Sequence, residues 1–254
     1  MTRTCIIVPC YNEEQRLPVL EFRDFLGRPG AVGLLFVNDG SLDGTGKVID
    51  GLMRQFPDRA RTLHLERNVG KAEAVRQGIL EAVREKAFSH VGYFDADLST
   101  PLDEVEHLLG AAGKTGAAMA FGARVKRLGI RLDRSGLRHY VGRVFATEAS
   151  MLLGLPVYDT QCGAKLFQTS LAGELFKAPF LSRWFFDVEI FFRMIAFYGR
   201  DKVERAAIEV PLDNWIEKGD TKVQWTDFLK APFELLRIAR YYRQRAAKGP
   251  GVSI

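Results

Sequence analysis

Five short apolar runs, at residues 5–9, 33–38, 62–66, 90–94 and 117–121, alternate with amphipathic stretches near residues 13–26, 45–56, 71–86 and 101–112. Such an alternation reads as an α/β protein with a mostly parallel sheet flanked by helices. The last stretch opens as Ser99-Thr100-Pro101, an N-cap followed by proline in the first turn. Ligands of open α/β sheets bind beyond the carboxyl ends of the strands. The unusual residues gather there: Pro9-Cys-Tyr-Asn-Glu13, Asn38-Asp-Gly-Ser41, Asn68-Val-Gly-Lys71 and Asp95-Ala-Asp97. Four strand ends therefore point to one site.

After residue 123 the pattern loosens. A basic segment at 124–143 runs into an apolar helix ending near Leu153, then a strand at 164–167, a helix at 186–198 and a strand at 202–210. A terminal helix is expected from 223 to 245. With 254 residues and no internal repeat, one domain over 1–222 followed by a basic amphipathic helix and short tail over 223–254 is the expected organisation. Three cysteines, Cys5, Cys10 and Cys162, stand at no metal-ligand spacing, which points to a reducing, cytoplasmic location. Met-Thr-Arg-Thr at the start leaves no room for a signal-peptide core, and no stretch approaches the roughly 18 apolar residues that span a bilayer. Any membrane contact is expected to be peripheral.

Several glycine-rich or acidic signals fail on spacing. Between Gly40 and Gly46 lie five residues, where a phosphate loop needs four, and Val48 follows Lys47 in place of Ser or Thr. Pro9-Cys-Tyr-Asn-Glu13 offers no glycine for a dinucleotide pyrophosphate. The Asp95-x-Asp97 run lacks the glycine that a calcium loop needs at its sixth position, which is Thr100.

What remains is a constellation of charges. Asp95 and Asp97, two apart at a strand end, are expected to share a side and to hold a hard cation, Mg²⁺ or Mn²⁺, whose other positions suit diphosphate oxygens. A polar strand end that caps the next helix would look the same. Asp39 could accept from a base edge or a ribose hydroxyl, or simply close an Asx turn. Lys71 opens a helix after Gly70, a suitable place for phosphate. Arg124, at the end of the fifth strand, could reach a phosphate from the opposite flank.

Ile7-Val-Pro-Cys-Tyr-Asn-Glu13, Val37-Asn-Asp-Gly-Ser-Leu-Asp-Gly-Thr45, Asn68-Val-Gly-Lys-Ala-Glu-Ala-Val75, Asp95-Ala-Asp-Leu-Ser99 and Gly122-Ala-Arg124, in this order, resemble the family 2 glycosyltransferases of GT-A fold. Asp159-Thr-Gln-Cys-Gly-Ala-Lys-Leu-Phe167 and Trp184-Phe-Phe-Asp-Val-Glu189 are similar to the dolichyl-phosphate β-glucosyltransferases and, more distantly, to the dolichyl-phosphate mannose synthases. The resemblance implies a nucleotide sugar donor (UDP-glucose, with GDP-mannose as the alternative), a divalent metal, inversion at the anomeric carbon and a polyprenyl phosphate acceptor on the cytoplasmic membrane face. It places Pro9, Tyr11, Glu13, Asp39, Lys71, Asp95, Ala96 and Asp97 at the donor, with Asp97 the more direct metal ligand. It puts Lys71 and Arg124 near the diphosphate and acceptor and Asp159 and Glu189 at acidic positions near the reacting carbon, where Arg124 is also expected to act and Asp187 joins as a candidate base. Arg127, Arg131 and Lys165 are expected with Arg124 at the acceptor phosphate. Ala164, where phenylalanine is usual, leaves room in the acceptor region.

The acceptor decides which of these groups matters. A lipid monophosphate is largely dianionic at neutral pH and needs little deprotonation. A hydroxyl acceptor would need a carboxylate base, for which Asp159, Asp187 and Glu189 are the candidates. Charge leans toward the lipid phosphate: between Arg124 and Arg143 stand seven basic residues against Asp133 alone, within a net charge of +5. A basic segment interleaved with apolar residues suits an anionic headgroup at an interface. The same charge on a nucleic-acid surface would call for a recognition motif, and none is present.

Overall fold

A computed structural model describes residues 3–125, 132–133, 136–216, 218 and 225–246. In chain order the elements are β1 (Thr4–Cys10), α1 (Val19–Gly27), β2 (Val32–Asn38), α2 (Thr45–Gln55), β3 (Ala60–His64), α3 (Lys71–Arg84), β4 (His90–Phe94), α4 (Glu104–Thr115) and β5 (Met119–Ala123). They continue as β6 (Leu132–Asp133), α5 (Gly136–Leu153), β7 (Ala164–Gln168), α6 (Thr169–Leu175), α7 (Phe186–Tyr198), α8 (Arg200–Ala206), β8 (Ala207–Pro211), β9 (Trp215–Ile216) and α9 (Trp225–Ala246). Seven strands form one sheet in the order β3-β2-β1-β4-β7-β5-β8, parallel except for β7, which runs against both neighbours. β6 and β9 pair separately.

The central strands are apolar on both sides because helices cover both faces of the sheet. Along β1, Cys5 and Ile7 enter the core beneath α3, α6 and α7, while Ile6, Val8 and Cys10 enter the core beneath α1, α2 and α4. α3 sits close on the sheet through Gly78, where a Cβ would come within 2.8 Å of Ile7 and Val37 methyls. α9 joins the first core through Leu235, Ile238, Ala239 and Tyr242. No helix among the described residues is long and apolar enough to cross a membrane.

Some sequence expectations shift. The strand expected at 202–210 begins as helix α8, started after Gly199 at φ 79° and anchored by buried Val203, and only Ala207–Pro211 pairs with β5. α1 starts at Val19, since Glu13 and its neighbours form a turn closed by Arg16 and Leu17 N–H bonds to the Glu13 carbonyl. Ser99-Thr100-Pro101 does not open α4: Glu104 and Val105 N–H groups bond back three residues, making a tight turn before the helix. The third strand lies two residues earlier than expected, and α6 follows β7 without a break, so no apolar or turn signal separates the two.

Candidate active site

A cavity of about 920 Å³ opens beyond the carboxyl ends of β1, β2, β4 and β5, a size that suits a nucleotide-sized ligand. Pro9, Tyr11, Glu13, Asp39, Lys71, Asp95, Ala96, Asp97 and Arg124, all expected from sequence, line it. The loops that carry them are tied to one another. Asn12 N–H donates to Ser41 Oγ at 3.0 Å, Leu42 N–H to Asn12 Oδ1 at 3.0 Å and Glu13 N–H to Thr45 Oγ1 at 2.7 Å. Asp39, 2% exposed, accepts the N–H groups of Val69 at 2.7 Å and Gly70 at 2.9 Å, so it holds the β2 loop against the start of α3. Burial pushes the Asp39 carboxyl up, against the lowering pull of those two N–H donors.

Asp95 and Asp97 lie in the turn after β4 rather than on the extended strand, and Leu98 at φ 50° bends the chain between Asp97 and Ser99. The expectation of two strand side chains on one side is corrected accordingly. Asp95 Oδ1 pairs with Lys71 Nζ at 2.5 Å but accepts no well-aligned hydrogen bond, while its Oδ2 lies where a Cβ on Gly163 would stand. Burial works against the Lys71 ammonium, yet the Asp95 and Asp187 carboxylates hold it above the ordinary lysine range. Asp97 accepts Ser99 N–H at 2.9 Å and Ser99 O–H at 3.0 Å.

These donors fit a divalent cation and would supply part of its shell. Among the described residues no group of three or more His, Cys, Asp or Glu side chains forms a closed cation cage. Two carboxylates at the cavity wall, Asp95 paired with Lys71 and Asp97 bonded to Ser99, are hard oxygen donors of the kind that suits Mg²⁺ or Mn²⁺ completed by water and diphosphate oxygens.

Four further residues expected at the site, Asp159, Asp187, Glu189 and Lys165, do not line the cavity and are engaged behind it. Asp159 takes the Arg124 guanidinium in a two-bond clasp, Nε to Oδ2 at 2.6 Å and Nη2 to Oδ1 at 2.8 Å. Burial opposes its charge, but Arg124 outweighs that and draws the carboxyl down to about 2, while Arg124 is itself raised. Lys165, fully buried, donates to the carbonyls of Thr160 at 3.0 Å and Cys162 at 2.7 Å and to Asp187 at 2.5 Å. Asp187 also takes the Tyr93 hydroxyl, and burial followed by that carboxylate keeps the phenol well above its usual range. Glu189 accepts Leu181 N–H at 2.8 Å, Arg193 Nη2 at 2.8 Å and the Tyr242 hydroxyl at 2.8 Å, all behind the cavity. An extended β7 puts Lys165 on the face opposite Ala164, and the helical start at Phe186 turns Asp187 and Glu189 inward. Arg127 and Arg131 lie outside the described residues.

Sequence reasoning missed Arg16, Arg183, Trp184, Trp215 and Lys218, which also line the cavity. Arg183 directly precedes the Trp184–Glu189 motif and Trp184 opens it, and their position before a helix start was the available signal.

This mostly parallel sheet, with its one reversed strand and the acidic turn after β4, is a GT-A fold. The chain belongs to glycosyl transferase family 2, whose model it matches over residues 5–176, and it is a hexosyltransferase. It is 32% identical over 254 residues to the human dolichyl-phosphate β-glucosyltransferase, with 93% of this chain and 75% of that protein covered. It is 32% identical over 166 residues to the polyprenol monophosphomannose synthase of Mycolicibacterium smegmatis, with 65% of this chain and 62% of that protein covered. Among solved structures it resembles glucosyl-3-phosphoglycerate synthase from Mycobacterium tuberculosis in complex with Mn²⁺, UDP and glucosyl-3-phosphoglycerate. The TM-score is 0.66 at 17% identity, covering 95% of this chain and 80% of that one, which establishes the shared fold.

Proposed function

We propose that the protein is an inverting glucosyltransferase that moves glucose from UDP-glucose to a polyprenyl phosphate at a membrane surface, with a divalent metal at Asp95 and Asp97. The observation that carries this reading is the engagement of its acids. The expected bases Asp159, Asp187 and Glu189 are committed to Arg124, Lys165 and Arg193. Among the cavity carboxylates, Glu13 pairs with Arg16, Asp39 with two backbone N–H groups, Asp95 with Lys71 and Asp97 with Ser99. A site without a disengaged base suits an acceptor that arrives as an anion, and a phosphate monoester does. The relatives named for dolichyl-phosphate glucosylation support the same acceptor class.

Asp95 and Asp97 would hold the metal, whose charge neutralises a leaving nucleoside diphosphate when bound. Lys71 stands at the N-terminus of α3 to meet phosphate oxygens, and the loops of β1 and β2 form the floor for the nucleoside. Arg124, fixed by Asp159, faces the acceptor side. Membrane contact falls to the basic segment from Lys126 to Arg143 and to the exposed side of α9.

The test is transfer of labelled sugar to polyprenyl phosphate from UDP-glucose and from GDP-mannose, in the presence and absence of Mn²⁺. UDP-glucose with Mn²⁺ should give the larger kcat/KM. A preference for GDP-mannose moves the donor to mannose, and transfer only to hydroxyl acceptors overturns the acceptor assignment.

A further inference from the structure

Among the described residues five cationic side chains line the cavity, and four of them lie within 4.0 Å of a carboxylate oxygen. Arg16 pairs with Glu13 at 2.9 Å, Lys71 with Asp95 at 2.5 Å, Arg124 with Asp159 at 2.6 Å, and Lys218 reaches Glu21 at 4.0 Å. Arg183 differs. It is exposed at the cavity wall and, among the described residues, forms no hydrogen bond or ion pair. Its guanidinium lies over Gly70, with Nε 3.0 Å and Nη2 3.6 Å from the point where a Cβ there would stand. Gly70, at φ 94°, is the residue from which α3 starts, and α3 has no side-chain cap.

The backbone that presents Arg183 is held from behind at several points. Arg193 Nη1 donates to the carbonyls of Leu175 and Ala178, each at 2.7 Å, and Nη2 to that of Pro179 at 2.7 Å. Glu189 accepts Leu181 N–H. Ser182 Oγ accepts the N–H groups of Trp184 at 3.3 Å and Phe185 at 3.1 Å while donating to Glu234 of α9 at 2.5 Å. A guanidinium within electrostatic reach of Asp39, but closed on no hydrogen-bond partner among the described residues, thus projects from a pinned backbone.

We propose that Arg183 binds a substrate phosphate, jointly with Lys71 and the uncapped N-terminus of α3. A guanidinium offers a planar fork of donors that matches two phosphate oxygens, and a helix start adds N–H donors and the positive end of its dipole. Arg124 is less available for this role because its fork is closed on Asp159. This assignment rests on the functional reading above, in which both substrates carry phosphate: a diphosphate on the donor and a monophosphate on the acceptor.

The experiment measures, for wild type, Arg183→Gln and Arg183→Lys, the calorimetric Kd of UDP, uridine, GDP and guanosine with Mn²⁺, and the KM for polyprenyl phosphate. Loss of one charge-assisted contact is worth about 10-fold or more. If Arg183 serves the donor, Arg183→Gln weakens the nucleoside diphosphate by about that factor and the free nucleoside by less than about twofold, and lysine restores part of the loss. If it serves the acceptor, the KM for polyprenyl phosphate rises instead, while nucleotide binding is kept. A wild type that binds UDP or GDP, with Arg183→Gln leaving both Kd and acceptor KM unchanged, overturns this assignment alone. A wild type that binds neither nucleotide overturns the functional reading and this assignment with it.

Discussion

Lys71–Asp95 and Lys165–Asp187 are both lysine–aspartate pairs with 2.5 Å contacts, reached from the two ends of a few residues around β4 and β7. In the first, the side chains keep 30% and 36% of their surface, and both line the cavity. In the second they keep 0% and 4%, and the lysine completes its shell with two backbone carbonyls. Water decides what each pair can do. Partners at a wet cavity wall can exchange one another for a cation or a phosphate at little cost, whereas partners in the core cannot separate without stranding a charge. Arg193–Glu189 extends the second kind, and Arg124–Asp159 stands between the two, with its arginine at the wall and its acid behind it.

Removing the acid from each kind of pair separates them most sharply. Asp187→Ala leaves the Lys165 ammonium buried without a counter-charge and should cost about 3–5 kcal/mol of unfolding free energy in a urea titration. Asp95→Asn, in the open pair, should cost less than about 1 kcal/mol. Equal costs would erase the distinction. Next in size is Asp97→Asn, which keeps shape and removes charge: sugar transfer should fall about 100-fold while stability stays within about 0.5 kcal/mol. Retention of full Mn²⁺ dependence in nucleotide binding by that variant would remove Asp97 from the metal site.

The same division explains what could be read from sequence. Every residue expected at the donor from the first half of the chain lines the cavity, because a strand end in a parallel sheet has one place to go and its loop residues follow it. Expectations for the second half rested on motif letters without a fixed geometry. Lys165 sits one residue from Ala164, and strand alternation puts the two on opposite buried faces, Ala164 in the core beneath α1, α2 and α4 and Lys165 against Asp187. Asp187 and Glu189 depend on where α7 starts and on which partners wait inside, Tyr93 and Arg193 among them, which are 94 and 4 residues away in sequence. Arg183 could not be weighed at all without knowing that its backbone is tied to Glu234, 51 and more residues later, through Ser182, 52 residues before it.

The intermediate pair gives a pH test. The Asp159 carboxyl, drawn by Arg124 from an ordinary 3.8 to about 2, lies lower in the folded state than in the unfolded one. Its contribution, on the order of 2 kcal/mol, is therefore present in full above the unfolded value and is lost as pH falls toward 2. Urea titrations of wild type and Asp159→Asn should show a constant stability gap between pH 7 and pH 5 that closes between about pH 4 and pH 2. A gap that persists at pH 2 assigns the effect to packing and not to charge.

The smallest effect concerns α9, which repeats the contrast within one helix. Leu235, Ile238, Ala239 and Tyr242 are buried against the core, whereas Phe233 is 76% exposed and Leu236 39%, beside exposed Arg237 and Arg240. The inward residues hold the helix to α7, so Leu235→Ala should cost about 2–5 kcal/mol of stability. The outward ones have no such role, and under the proposed membrane contact they enter the headgroup region while the arginines meet anionic lipid. Phe233→Ser should then leave the unfolding curve in place and weaken flotation on anionic vesicles by about fivefold, the equivalent of about 1 kcal/mol of lost partitioning. Raising salt should weaken the wild type further by screening the arginines. If Phe233→Ser floats as well as wild type at every salt concentration, the outer side of α9 is a solvated face and contact with the lipid must run through the basic segment from Lys126 to Arg143 alone.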